Sequence, residues 1–158
     1  FKGPNSEARN GKQYDIRSFK VAKFSKGCAG VEVPNIGCVY VLPSYSPIKA
    51  GSEEMDKWDP NWKYSRYSSN DNYWAGAKKA CDDIEMSLPD RSKLESLARK
   101  TTAEKEQLGL PTSGYFWSSS ENTRYDYDAY YVGFNDSHAY TYSYYKYYSG
   151  EKALCIGD

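Results

Sequence analysis

His138 is the only histidine in the chain, and Ser118, Ser119, Ser120 and Asp126 lie close enough in sequence to suggest a nucleophile and an acid beside it. Acyl transfer needs more: a base within hydrogen-bond reach of the serine and an oxyanion hole, and the sequence holds neither a nucleophile elbow nor an activating motif. The serines therefore read as turn or strand-edge residues and His138 as a surface contact, and no catalytic residue is assigned. Asp126, Asp128, Asn135 and Asp136 are oxygen ligands of the kind calcium takes. Asp and Asn scattered through loops are ordinarily solvated, so no metal and no cofactor is assigned either. What the stretch concentrates is tyrosine. Eleven of the seventeen tyrosines fall between Tyr115 and Tyr148, interleaved with Asn, Asp, Ser, Thr and His.

A core cannot be built from that mixture, because each buried phenol needs a hydrogen-bond partner and the small polar residues need more. Most of these side chains are expected to face solvent. Tyrosine offers rigid contact area at low entropy cost and Ser and Asn offer adaptable hydrogen bonds, a combination suited to recognition. The residues expected on this ligand-binding face are Arg124, Tyr125, Asp126, Tyr127, Tyr131, Asn135, Asp136, His138, Tyr140, Tyr142, Tyr144, Tyr145 and Tyr147. Four carboxylates against Arg124 and Lys146 leave residues 117–148 at a net charge of −2, and the whole chain is neutral with 21 basic and 21 acidic residues. Binding to nucleic acid by phosphate neutralisation is disfavoured on both counts. Lys146, inside TYSYYKYY, reads as an outward gatekeeper against edge aggregation.

The elements that must carry this face are partly legible. The 158 residues suffice for one core. Aromatic residues make up 16% of the chain although mean hydropathy is −0.85, so apolar surface is concentrated in rings. No apolar run reaches the ~18 residues of a membrane span, and FKGPNSEARNGK lacks the apolar middle of a signal peptide. Residues 1–27 are expected to form an amino-terminal arm or the remnant of a stem, with Tyr14, Ile16 and Phe19 as anchors, and residues 28–158 the ligand-binding domain. Cys28 and Cys38 bracket a Pro34–Asn35 turn, which suggests a disulfide-closed hairpin leading into a strand at Cys38–Leu42. Four cysteines without a CxxC pair or accompanying histidines favour two disulfides over zinc, and hence an oxidising, cell-surface or extracellular setting.

Residues 43–72 read as a long loop carrying Trp58, Trp62, Tyr64 and Tyr67, with the tryptophans used for packing. Residues 73–83 place Tyr73, Ala77, Ala80 and Cys81 at helical spacing. Asp90 is an N-cap for a second helix bearing Leu94, Leu97 and Ala98. Tyr130, Val132 and Phe134 alternate with Tyr131 and Gly133 as a strand, and Ala153–Ile156 closes the chain as another.

WAGAKKACDDIEMSLPDRSKLESL, together with FWSSSE and the later ALCIG, resembles the C-type lectin-like fold over residues 38–158. The resemblance implies an α+β domain of two helices packed on small antiparallel sheets, stabilised by a Cys81–Cys155 bridge. Loop closure would make that bridge worth roughly 4.5 kcal/mol and one between Cys28 and Cys38 roughly 3. The Glu-Pro-Asn or Gln-Pro-Asp and Trp-Asn-Asp motifs of calcium-dependent sugar binders are missing from the carboxy-terminal region, and Val33-Pro34-Asn35 lies too early, so calcium-dependent sugar binding is not implied. Sulfatase-modifying enzymes share the fold, but the cysteines here read as structural.

YFWSSSEN, DAYYVGF and ALCIG are, more narrowly, similar to the variable regions of retroelement-diversified proteins of the tropism-determinant kind. That resemblance implies an invariant frame of Trp117, Ser118, Ser119, Tyr130, Val132, Phe134 and Leu154. Outward positions such as Arg124, Tyr125, Tyr127, Tyr131, Gly133, His138, Tyr140, Tyr142, Tyr144 and Tyr145 would vary. The expected partner is a protein or glycan on another cell, phage or host surface, and the alternative is a fixed-specificity lectin-like carbohydrate-binding domain. No oligomeric state is assigned.

Overall fold

The computed structural model describes residues 27–62, 71–135 and 137–157. The anchors expected at Tyr14, Ile16 and Phe19, and the loop aromatics Tyr64 and Tyr67, lie outside the described residues, as does Asp136. The chain divides into two units, Phe1–Gly30 with Asp158, and Val31–Gly157. Of the first, residues 27–30 are described. The second is α+β.

Its strands are β1 (Val31–Val33), β2 (Gly37–Val41), β3 (Ile48–Lys49), β4 (Asp71–Asn72), β5 (Tyr115–Glu121), β6 (Asp128–Gly133), β7 (Tyr140–Tyr145) and β8 (Leu154–Gly157). They form three antiparallel sheets, ordered β1-β2-β8, β3-β4 and β5-β6-β7. The turn expected at Pro34–Asn35 joins β1 to β2, with Asn35 in the left-handed region (φ 69°) and the Ile36 N–H bonded to the Val33 carbonyl.

Four helices lie among the described residues: α1 (Glu53–Trp58), α2 (Tyr73–Asp83), α3 (Arg91–Ala98) and α4 (Thr102–Leu108). The two expected from periodicity are α2 and α3. Asn72 caps α2 by accepting from the Ala75 N–H, and Asp90 caps α3 by accepting from Lys93. Of the other two, α1 corrects the reading of 43–72 as a loop, and α4 falls in the polar stretch TTAEKEQLGL. α4 has a capping box between Thr101 and Glu104 and a left-handed Gly109 at its end.

Three clusters fill the interior. One joins Val33 and Val39 to Leu94, Leu97, Phe116, Val132, Phe134 and Leu154. A second joins Trp74, Ala77 and Cys81 of α2 to Trp117, Ala129 and Cys155. A third gathers Ile48, Met55, Trp62 and Ala75 beneath the long connection. α2 approaches that connection closely: a Cβ on Gly76 would fall 2.1 Å from the Ser46 carbonyl oxygen, so only glycine fits. Cys81 is bonded to Cys155, tying α2 to β8. No cysteine is free, and Cys28 and Cys38, the two that remain, are each disulfide-bonded as well. No helix among the described residues is long and apolar enough to cross a membrane.

Candidate functional site

The β5-β6-β7 sheet presents two different faces. On one, Phe116, Val132 and Thr141 stand in a cross-strand row, with Tyr130 beside Ser143. α3 covers this face: Leu94 and Leu97 pack against Phe116 and Val132, Thr141 donates to Glu95, and the Arg91 guanidinium lies 4.4 Å from the centre of the Tyr130 ring. On the other face the rows are Tyr115–Gly133–Tyr140, Trp117–Tyr131–Tyr142 and Ala129–Tyr144. Its inner edge is buried under Trp74 in the second core cluster, and its outer edge is open.

The middle row runs from core to solvent. Trp117 is 0% exposed, Tyr131 half-buried and Tyr142 50% exposed. Ring centroids are 6.3 Å apart at the first step and 5.7 Å at the second. Burial pushes the Tyr131 phenol up to about 12, so it stays a neutral donor and acceptor at any ordinary pH. Gly133, expected outward and variable, is instead buried. A Cβ there would lie 2.8 Å from the Tyr115 ring, which folds over the glycine and packs edge-on against Tyr131.

A second group of rings gathers at the far end of β7. Tyr145 lies against Tyr127 and stacks on Tyr147, Tyr127 meets Tyr125, and Arg124 sits over Tyr125. Tyr144 contacts both Tyr145 and Tyr148. Arg124, Tyr125, His138, Tyr140, Tyr142, Tyr144 and Tyr145 are thus exposed as expected. Asp126, Tyr127, Tyr131, Asn135 and Tyr147 are half-buried, and Tyr127 and Tyr147 pack on the third core cluster. Tyr115 and Tyr148, absent from the expected set, are exposed beside it. Tyr115 shares the parity of buried Trp117, so alternation alone assigns it inward; its position at the open end of β5 is what frees it.

Lys146 corrects the sequence reading most sharply. It is not an outward gatekeeper but 0% exposed. Its ammonium donates to Glu121 (2.8 Å) and to the Asp126 carbonyl (2.6 Å), pairs with Asp59 (2.9 Å) and lies 4.4 Å from the centre of the Trp74 ring. Asp59 also accepts from Asn72, the cap of α2. Burial pushes the Asp59 carboxyl up, with Lys146 and Asn72 acting against that. The cluster fixes the β5–β6 connection and the end of β7 to α2.

Of the serines considered as nucleophiles, Ser118 and Ser120 hold backbone groups in place. Ser118 is buried, donates to the Tyr130 carbonyl and accepts from Ser120 N–H, and Ser120 accepts from Arg91 N–H at the start of α3. His138 stacks on Tyr140. An open polar cleft of about 400 Å³, lined by Asn61, Glu121, Asn122, Thr123 and Asp126, adjoins the second ring group. Among the described residues no group of three or more His, Cys, Asp or Glu is arranged to hold a metal ion. No family model, no curated protein and no solved structure matches this chain.

Proposed function

We propose that this chain is a non-enzymatic binding module with a C-type lectin-like fold, displaying a retroelement-diversified, tyrosine-rich face to a protein or glycan on another surface. The observation that carries the reading is the separation of roles in one sheet. Tyr140, Tyr142 and Tyr144 project from the open edge, while Phe116, Trp117 and Val132 of the same sheet are buried. Residues on such an edge can be exchanged without disturbing the packing beneath, as a diversified surface requires. The α2 cysteine bridged to the last strand supports the lectin-like assignment, and the two disulfides support a cell-surface or extracellular setting.

Sequencing the DNA that flanks the coding region tests diversification. A near-copy of the 3′ coding segment, differing at adenines and lying beside a reverse transcriptase gene, is expected. Complete flanking sequence without such a copy would sink it. The polar cleft beside Glu121 and Asp126 favours the second reading, a fixed carbohydrate site, because planar carboxylates and amides are suited to hydroxyl recognition. Binding on a glycan array that disappears on calcium chelation would decide for that reading.

A further inference from the structure

β7 is the outer strand of its sheet. It pairs with β6 on one side, and among the described residues no backbone group of Tyr140–Tyr144 bonds to anything beyond β6. In an antiparallel ladder every second residue turns its N–H and C=O away from the paired strand, so among the described residues Tyr140–Tyr144 presents outward donors and acceptors, whereas the Tyr145 carbonyl accepts from the Tyr148 N–H. Natural edges are blunted by an outward lysine, a proline, a bulge or a covering element. Here Lys146 is turned into the protein, no side chain from Ser137 to Tyr145 carries a formal charge with His138 neutral, that stretch holds no proline, and all six residues pair with β6 in continuous register.

We propose that β7 pairs antiparallel with β7 of a second copy of this chain, around a two-fold axis through Tyr142 normal to the sheet. Such an axis keeps equivalent faces on the same side, so residues that oppose one another must belong to the same face. Centred on Tyr142, the register sets Tyr140 opposite the second copy's Tyr144, Thr141 opposite its Ser143, and Tyr142 opposite its own equivalent. Aromatic pairs and Thr–Ser pairs are both stabilising when directly opposed, and no like charges meet. The strand is complementary to itself, which an unrelated extended peptide would match only by chance.

Main-chain hydrogen bonds carry the contact, so it tolerates exchange of the open-face tyrosines for uncharged residues, whereas a charge at Tyr142 meets its own equivalent across the axis. It merges two three-stranded sheets into one of six, with the tyrosine rows of both copies side by side. Joining two binding faces in this way would add avidity toward a large ligand, although the pairing itself does not rest on the ligand-binding reading.

Sedimentation of the full chain without ligand tests the pairing, over roughly 1 μM to 1 mM, the Kd range of small transient contacts. The weight-average mass should rise toward twice the monomer value, and amides in 140–145 should gain hydrogen-exchange protection in parallel. Tyr142→Lys and Tyr142→Asp each oppose like charges across the axis and should stay monomeric alone. An equimolar mixture of the two opposes unlike charges and should associate again. A wild-type chain that is monomeric throughout, a dimer indifferent to both substitutions, or a mixture that remains monomeric would each overturn the proposal. Tyr142 is largely exposed, so both variants should fold; if either does not, the concentration dependence of wild-type exchange decides the matter on its own. None of these outcomes bears on whether the tyrosine face binds a ligand.

Discussion

Taking an ammonium out of water costs several kcal/mol, and at Lys146 that cost is offset by two carboxylates, a carbonyl and a ring face converging on Nζ. Removing only the lysine strands Asp59 in a site where it is almost wholly inaccessible. Lys146→Met, which keeps most of the volume, should therefore destabilise the chain by about 3–5 kcal/mol in urea unfolding. Adding Asp59→Asn removes the stranded charge and retains an acceptor for Asn72, so the double variant should recover at least about 1 kcal/mol. Equal losses in the single and double variants would show that Lys146 acts through packing alone. Sequence could not reveal this arrangement. Lys146 has the parity of Tyr140, Tyr142 and Tyr144, and strict alternation turns it outward. Its N–H still bonds to the Tyr127 carbonyl in step with the ladder, but at that end the face lies against Trp74 of α2, whose ring centre is 4.4 Å from Nζ. Its partners Asp59 and Glu121 come from distant segments, and no local pattern marks them as near one another.

At the scale of elements, legibility followed the size of the apolar stripe. α2 and α3 bury Trp74, Ala77, Cys81, Leu94 and Leu97 at helical spacing, and their extents were readable for that reason. α1 buries only Met55 and α4 only Lys105, so periodicity carried almost no signal there. The Thr101–Glu104 capping box was nonetheless present in the sequence and could have identified α4. The sheet that carries the candidate face makes a stability prediction. Tyr140→Ser, Tyr142→Ser and Tyr144→Ser should each shift stability by no more than about 0.5 kcal/mol. Trp117→Ala and Phe134→Ala should each cost ~3–5 kcal/mol. Tyr127, expected among the outward positions, packs on the cluster of Ile48, Met55 and Trp62, so Tyr127→Ser should fall between the two groups. Thermal and urea denaturation of the six variants gives the order, and edge tyrosines that unfold as readily as the Trp117 variant would mean that the face is core.

Over the whole molecule, long-range ties hold small elements together. β2 pairs with β8 across most of the chain, and the Cys81–Cys155 bridge spans 74 residues, worth roughly 4.5 kcal/mol by loop closure. Equal numbers of acidic and basic residues leave little net charge near neutrality, so individual buried groups set the pH dependence of stability. Burial pushes the carboxyls of Asp59 and Asp128 up. It pushes that of Glu151, only 6% exposed beside the Tyr45–Trp117 hydrogen bond, from an ordinary 4.5 to about 7. For a carboxyl raised on folding, the folded state holds its proton after the unfolded state has released it, so unfolding becomes easier as pH rises. Below pH 4.5 both states are protonated and the contribution of Glu151 is fully present. It is lost between 4.5 and about 7 and stays lost above. The loss is bounded at about 3 kcal/mol. Glu151→Gln cannot ionise, so its stability should match wild type at the acid end and exceed it above neutrality by up to that amount. Urea unfolding of both chains at several pH values across the window measures the difference. Parallel curves would mean that Glu151 ionises as freely in the folded chain as in the unfolded one, and that its burial carries no electrostatic cost.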